Sequence, residues 1–203
     1  GEQTAGPRDD PPPEEPGPAP DALHIPAPPR FPALPVPADN PTTRQGVELG
    51  RRLFYDPILS GDDTQSCASC HTQAFAFSDN GRRFSLGIDD VEGTRNAPAL
   101  VNVGWNLVSF WDGRAATLEE QALGPVPNPI EMHLEWDAAV AKLRARPEYP
   151  DLFRAAFRTA QMQGDGQLVA ELALEQVRTG FVPADLIVRT ITEGLEAAPD
   201  PES

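Results

Sequence analysis

Apolar residues fall at helical spacing in six stretches of the chain, and little of the remainder alternates as a strand would. The spacing predicts a first helix over 43–55, capped by Thr42 or Thr43, with Val47, Gly50, Leu53 and Phe54 on one face and Asp56-Pro57 as its stop. A short helix is expected over 118–123, ended by Gly124-Pro125. Asp137 is read as the cap of a helix over 138–145. Another, over 150–159, carries Leu152, Phe153, Ala156 and Phe157. Two more are predicted over 167–178, with Leu168, Leu172 and Val177, and over 184–195, with Leu186, Ile187 and Ile191. The predicted class is all-α.

Between these helices lies a stretch, 78–116, rich in glycine, asparagine and aspartate. A loop this long inside a compact domain is usually functional, and this one has the length to wrap a cofactor. The other irregular part is the beginning. Of the 24 prolines in 203 residues many fall in the first forty, and Pro11-Pro12-Pro13-Glu14-Glu15-Pro16 excludes helix and inner strand. Residues 1–34 are therefore read as an extended, disordered tether of polyproline II character, leading to a lipid anchor or another module. Between Phe31 and Val36, apolar residues alternate with prolines, as expected of a segment lying along a domain surface.

Charge narrows the partners. With 31 acidic against 16 basic side chains the net charge is −15, which disfavours nucleic acid and anionic membrane surfaces and favours a basic or neutral partner. Simple solubility explains the same balance equally well. No run of eighteen apolar residues is present, so no transmembrane segment is expected.

The chemistry is concentrated in Cys67-Ala68-Ser69-Cys70-His71. Cys-x-x-Cys-His is the attachment signature of a c-type haem. On one helical turn both thiols face the same way and reach the two vinyl groups. The adjoining histidine then supplies the proximal iron ligand. Half of a zinc site would need further ligands, and the other histidines, His24 and His133, are remote; a redox dithiol would want a βαβ setting that the pattern lacks. Phe75 and Phe77 follow closely enough to cover a porphyrin edge, or else are ordinary core aromatics. Covalent haem attachment takes place outside the bacterial cytoplasmic membrane. The expected compartment is the periplasm, with an export leader not present in this sequence.

From Pro35 to about Phe157 the chain resembles the N-terminal haem domain of bacterial di-haem cytochrome c peroxidases and their MauG-like relatives. The resemblance rests on 49–57 (Leu-Gly-Arg-Arg-Leu-Phe-Tyr-Asp-Pro), Ser66–His71 and Arg95-Asn96-Ala97-Pro98. It continues through Phe110-Trp111-Asp112-Gly113-Arg114-Ala115, Thr117–Ala122, Gly124-Pro125 and Asn128-Pro129-Ile130-Glu131-Met132. It implies a cytochrome c-like haem domain over 35–160 with long haem-wrapping loops, followed by C-terminal helices and an acidic tail over 161–203. It also implies reaction with hydrogen peroxide, using electrons from a small cytochrome or another redox protein.

By motif position the family's distal glutamate looks like Glu120, followed by Gln121. A carboxylate there can move a proton between the two peroxide oxygens, with Arg114 or Gln121 as hydrogen-bond donors. Glu120 also fits a capping box begun by Thr117, and Arg114 pairs equally well with Asp112 or a haem propionate. Trp111 belongs to the cofactor-wrapping loop. Met132 belongs to a recurring family loop and is read as a haem-side residue; as a sixth iron ligand it, like Met162, is disfavoured.

Two departures from the family matter. No cysteine follows Cys70, so one haem is expected, in a fragment or a single-haem relative, and the calcium site between the family's domains cannot be placed. The tryptophan that often lies between the haems has no counterpart nearer than Trp105. No histidine lies between His71 and His133, which predicts an iron open to peroxide at rest. A peroxidase domain is thus the first expectation, with MauG-like oxidation of a partner protein beside it. The rivals are a mono-haem electron carrier with Met132 opposite His71, and a remnant whose haem only supports the fold.

Overall fold

The computed structural model describes residues 21–38 and 40–157. Helix α1 spans Arg44–Tyr55. Its start is fixed by Thr43, whose hydroxyl accepts from Gly46 N at 3.0 Å. A Glu48–Arg52 pair at 3.0 Å supports its exposed side, and Val47, Leu49, Gly50, Leu53 and Phe54 are buried. Asp56 then does two jobs. One oxygen accepts from Ile58 N at 2.9 Å to start a 3₁₀ turn at Pro57–Leu59, and the other accepts from Tyr149 Oη at 2.6 Å.

Helix α2 is the single turn Cys67–Cys70, and α3 is Leu118–Ala122. Helices α4, Trp136–Ala145, and α5, Glu148–Ala156, close the described chain. Helix α4 begins earlier than the pattern predicts, so Asp137 lies inside its first turn and does not cap it. There its charge still faces the positive helix end. Helix α5 likewise starts at Glu148 with Pro150 in its first turn, where a missing N–H breaks no helical bond. The helices expected over 167–178 and 184–195, and Met162, lie outside the described residues.

The described residues are helical with little strand. Extended pairing is confined to isolated bridges at Ala22–Thr43, Thr72–Ser78, Leu86–Glu92 and Ser109–Ala115. The long stretch over 78–116 is irregular as expected, broken only by 3₁₀ turns at Ile88–Asp90 and Val103–Trp105.

Two apolar clusters form. The larger joins Leu49 and Leu53 of α1 to Ile58, Met132, Val140, Leu143 and Phe153. Tyr149 belongs to it as well, and Lys142 locks α4 to the turn before the haem motif by bonding Ser60 O and Asp63, each at 2.6 Å. The smaller comprises Phe54, Phe77, Leu100 and Val103, with Cys67, Ala68 and Leu118 against it. Helix α1 thus contributes to both.

The early segment is bonded to the domain from Asp21 onward, well inside the expected tether. Leu23 N donates to Thr42 O and Arg44 N to Asp21 O, each at 2.9 Å. Phe31 meets Trp105 edge-on at 5.1 Å, and Trp105 Nε1 donates to Pro32 O at 3.1 Å. Buried Asn40 donates to Glu119 on α3 at 3.0 Å. Proline fixes the extended path, and these bonds hold it on the surface. Residues 1–20 lie outside the described part.

Candidate haem site

The turn carrying the thiols is held at both ends. Ser66 N donates to Ser69 Oγ at 3.0 Å, and His71 N donates to Cys67 O at 2.9 Å. Cys67 and Cys70 are half-buried free thiols on that one turn. Burial pushes both up to about 11. They are therefore protonated at neutral pH.

His71 is oriented by the segment that follows it. The chain folds back through the Thr72–Ser78 bridge, with Ala76 and Phe77 both at φ 55°, and this brings Phe77 O to 2.8 Å from His71 Nδ1. Because a carbonyl only accepts, Nδ1 carries the proton and Nε2 keeps a lone pair for a metal. Burial lowers the imidazole pKa, with the carbonyls of Phe77 and Pro98 and the charge of Asp79 pulling the other way. The Phe77 ring is buried against Phe54, centroids 6.1 Å apart. It anchors the loop whose carbonyl sets the histidine. Backbone in the left-handed region at two consecutive non-glycine residues is costly and concentrates at functional sites.

A cavity of about 500 Å³ is lined by Phe110, Arg114, Glu120, Gly124, Asn128 and Glu131, among others. The Arg114 guanidinium sits 3.4 Å over the Phe110 ring and donates to Asp112 at 2.9 Å. Arg95 takes the other Asp112 oxygen at 2.8 Å. Arg95 first, then Arg114, holds the Asp112 carboxyl down to about 2. Of the two partners weighed for Arg114, Asp112 is the one it meets here.

The two cavity carboxylates differ. Glu120 is exposed, and its Oε2 accepts from Ala116 N at 2.7 Å while its own N–H donates to Thr117 Oγ1 at 3.1 Å. That is a capping arrangement, reaching one residue further back than the usual box. Glu131 is half-buried, accepts from Asn128 Nδ2 at 2.8 Å, and burial raises its carboxyl pKa. Its backbone carbonyl accepts from Ile88 N at 2.8 Å. Its charge also reaches Cys70, which ties the cavity to the thiol turn. Glu131 stands in the quoted Asn-Pro-Ile-Glu-Met motif, and its signal is the Asn128 three residues before it, whose amide holds the carboxylate.

Other expected site residues are placed less centrally. Gln121 follows Glu120 on α3, half-buried, and is not among the cavity-lining residues. Phe75 is 45% exposed; Phe77, not Phe75, packs beside the motif. Trp111 is 61% exposed, its Nε1 donating to Asn96 O at 2.9 Å. Met132 is buried in the larger cluster, apart from the one that contains Cys67.

The residues present fit a covalently held haem. Two thiols share a turn, an oriented imidazole offers Nε2, and apolar side chains gather about Cys67.

A family model described as di-haem cytochrome c peroxidase matches residues 44–179. Methylamine utilization protein MauG of Methylorubrum extorquens is 40% identical over 155 residues, 75% of this chain and 44% of that protein. Cytochrome c peroxidase Ccp of Escherichia coli is 41% identical over 154 residues, covering 75% and 32% respectively. Cytochrome c551 peroxidase of Pseudomonas aeruginosa is 37% identical over 185 residues, covering 87% and 53%. Among solved structures, a MauG-like protein associated with microbial copper homeostasis superposes with a TM-score of 0.63 at 37% identity, over 77% of this chain and 47% of that one. The chain spans between a third and about half the length of these relatives.

Proposed function

The chain belongs to the di-haem cytochrome c peroxidase family, and from that premise we propose that it carries one haem c and reduces hydrogen peroxide. Cys67 and Cys70 hold the haem and His71 Nε2 ligates its iron, within a haem domain over 35–160. Electrons come from a small cytochrome or redox protein, for which the net charge of −15 favours a basic docking face. Periplasmic location follows from the requirements of haem attachment. The observation that carries the reading is the thiol turn followed by a histidine whose Nδ1 is held by the Phe77 carbonyl, leaving Nε2 for a metal.

Bound haem supplies the redox centre at which peroxide is reduced. This chain's residues supply the proton handling. Glu131, held by Asn128 and with its pKa raised by burial, takes the proton of one peroxide oxygen and returns it to the departing one. Glu120, the residue expected from motif position, has its carboxylate engaged in fixing the start of α3, and its place in this proposal is to keep that wall of the cavity in position. Arg114, flat on Phe110 and tied to Asp112, presents positive charge to the cavity. Burial of Met132 in the main core supports an iron without a methionine ligand.

A visible spectrum of the oxidised holoprotein tests this. High-spin bands that shift promptly on adding hydrogen peroxide are expected, and a low-spin spectrum indifferent to peroxide overturns it. Oxidation of a partner protein is the second reading, supported by 40% identity to a MauG protein. It is separated from the first by whether peroxide turnover needs that partner.

A further inference from the structure

Asp79 is 6% exposed, and its Oδ2 is buried with no hydrogen-bond partner. An orphaned polar atom in the interior is costly, and in a native fold it asks for a reason. The residue's position is set by its backbone. It follows Phe77, whose carbonyl orients His71, and Ser78, which pairs with Thr72. Its own carbonyl closes a turn by accepting from Arg82 N at 2.9 Å, while Asn80 and Gly81 hold positive φ. The Arg82 side chain is exposed. The carboxylate is thus fixed inside the loop that carries the histidine's hydrogen-bond acceptor.

We propose that Asp79 is a built-in negative charge on the His71 side of the haem site, serving to hold the bound haem in its oxidised state. This rests on the haem assignment but not on peroxide chemistry. A negative charge beside the iron favours the more positive, oxidised centre, and burial keeps solvent and salt from screening it. Asp79 stands two residues beyond Phe77, whose carbonyl lies 2.8 Å from His71 Nδ1. Asp79 is a positioning and tuning residue; it does not touch peroxide.

The test is redox titration of the holoprotein, followed in the visible spectrum, for the parent, Asp79→Asn and Asp79→Ser, with exposed Asp62→Asn as control. Both Asp79 variants are expected to favour one-electron reduction by about tenfold, a rise of about 59 mV in midpoint, with the control moving by less than a third of that. A coloured, folded Asp79 variant with the parent midpoint overturns the proposal. Loss of folding or of covalent haem in both Asp79 variants assigns the residue to structure alone and overturns it equally. A protein that shows the shift yet ignores peroxide upholds this inference while removing the peroxidase reading.

Discussion

Gly87 and Ile130 approach so closely that a Cβ on Gly87 would lie 1.8 Å from the Ile130 carbonyl oxygen. Only glycine permits this contact, and it seats the 128–132 loop against the 86–92 turn through Ile88 N and Glu131 O. Gln65 Nε2 adds a bond to Gly87 O at 3.1 Å, so the segment leading into the thiol turn is part of the same joint. Gly87→Ala should therefore cost about 1–3 kcal/mol in urea unfolding, as overpacking does. Peroxide turnover should fall further than stability does, because Glu131 moves with the loop.

Glu131→Gln separates proton transfer from folding. It keeps the oxygen that Asn128 bonds and removes a charge that burial penalises. The raised folded pKa means the native state holds this proton more tightly than the unfolded chain. Stability from this group is therefore full at low pH and falls as pH rises through the folded value. At pH 7 the variant should be at least as stable as the parent. Its reaction with peroxide, followed by stopped flow, should nevertheless slow by about 10²–10⁴-fold.

Glu120→Ala should behave in the opposite way. Losing the bond from Ala116 N should lower stability by about 1 kcal/mol, while the peroxide rate changes by only about a few-fold. A loss of rate comparable to that of Glu131→Gln would return the proton shuttle to Glu120.

The Arg95–Asp112–Arg114 group predicts an acid-range effect. Its carboxyl is held at about 2, below the unfolded value, so its contribution is complete above the ordinary carboxylate range and vanishes as pH falls through about 2. Melting temperatures of the parent and Asp112→Asn should differ near neutrality and converge as pH falls from about 4 to 2. Because the group is solvent-exposed, added salt should narrow the gap at neutrality.

Covalent attachment is checked directly. Cys67→Ser should leave a single thioether at most, so haem staining on a denaturing gel should weaken relative to the parent. Phe153→Ala, at a side chain with no exposure in the larger core, should cost about 3–5 kcal/mol. Substituting Leu107, 90% exposed, by serine should stay within about 0.5 kcal/mol.

Much of this was legible in the sequence. The face of α1, the stops at Asp56 and Gly124, the thiol turn and the irregular stretch over 78–116 all follow from spacing, because each is decided by neighbours within a few residues. What escaped depends on distant partners. Asn40 reaching Glu119, Tyr149 reaching Asp56 and Gly87 beneath Ile130 leave no local trace. The same holds at the site. A cap and a distal carboxylate look alike in sequence, and what separates Glu120 from Glu131 is burial, a property of the assembled loops. Phe77 could be foreseen as an aromatic near the haem, but not as the carbonyl that fixes the histidine tautomer.

Helix α1 is shared between the large core and the small cluster at the thiol turn, so neither can loosen without disturbing the other. Heating should accordingly erase helical ellipticity and shift the haem's ligation-dependent visible bands at one common midpoint, as a single cooperative unit. A haem seated on an independent flap would lose its axial ligation first, whereas the thiol turn here is mounted on the beam that holds up the house.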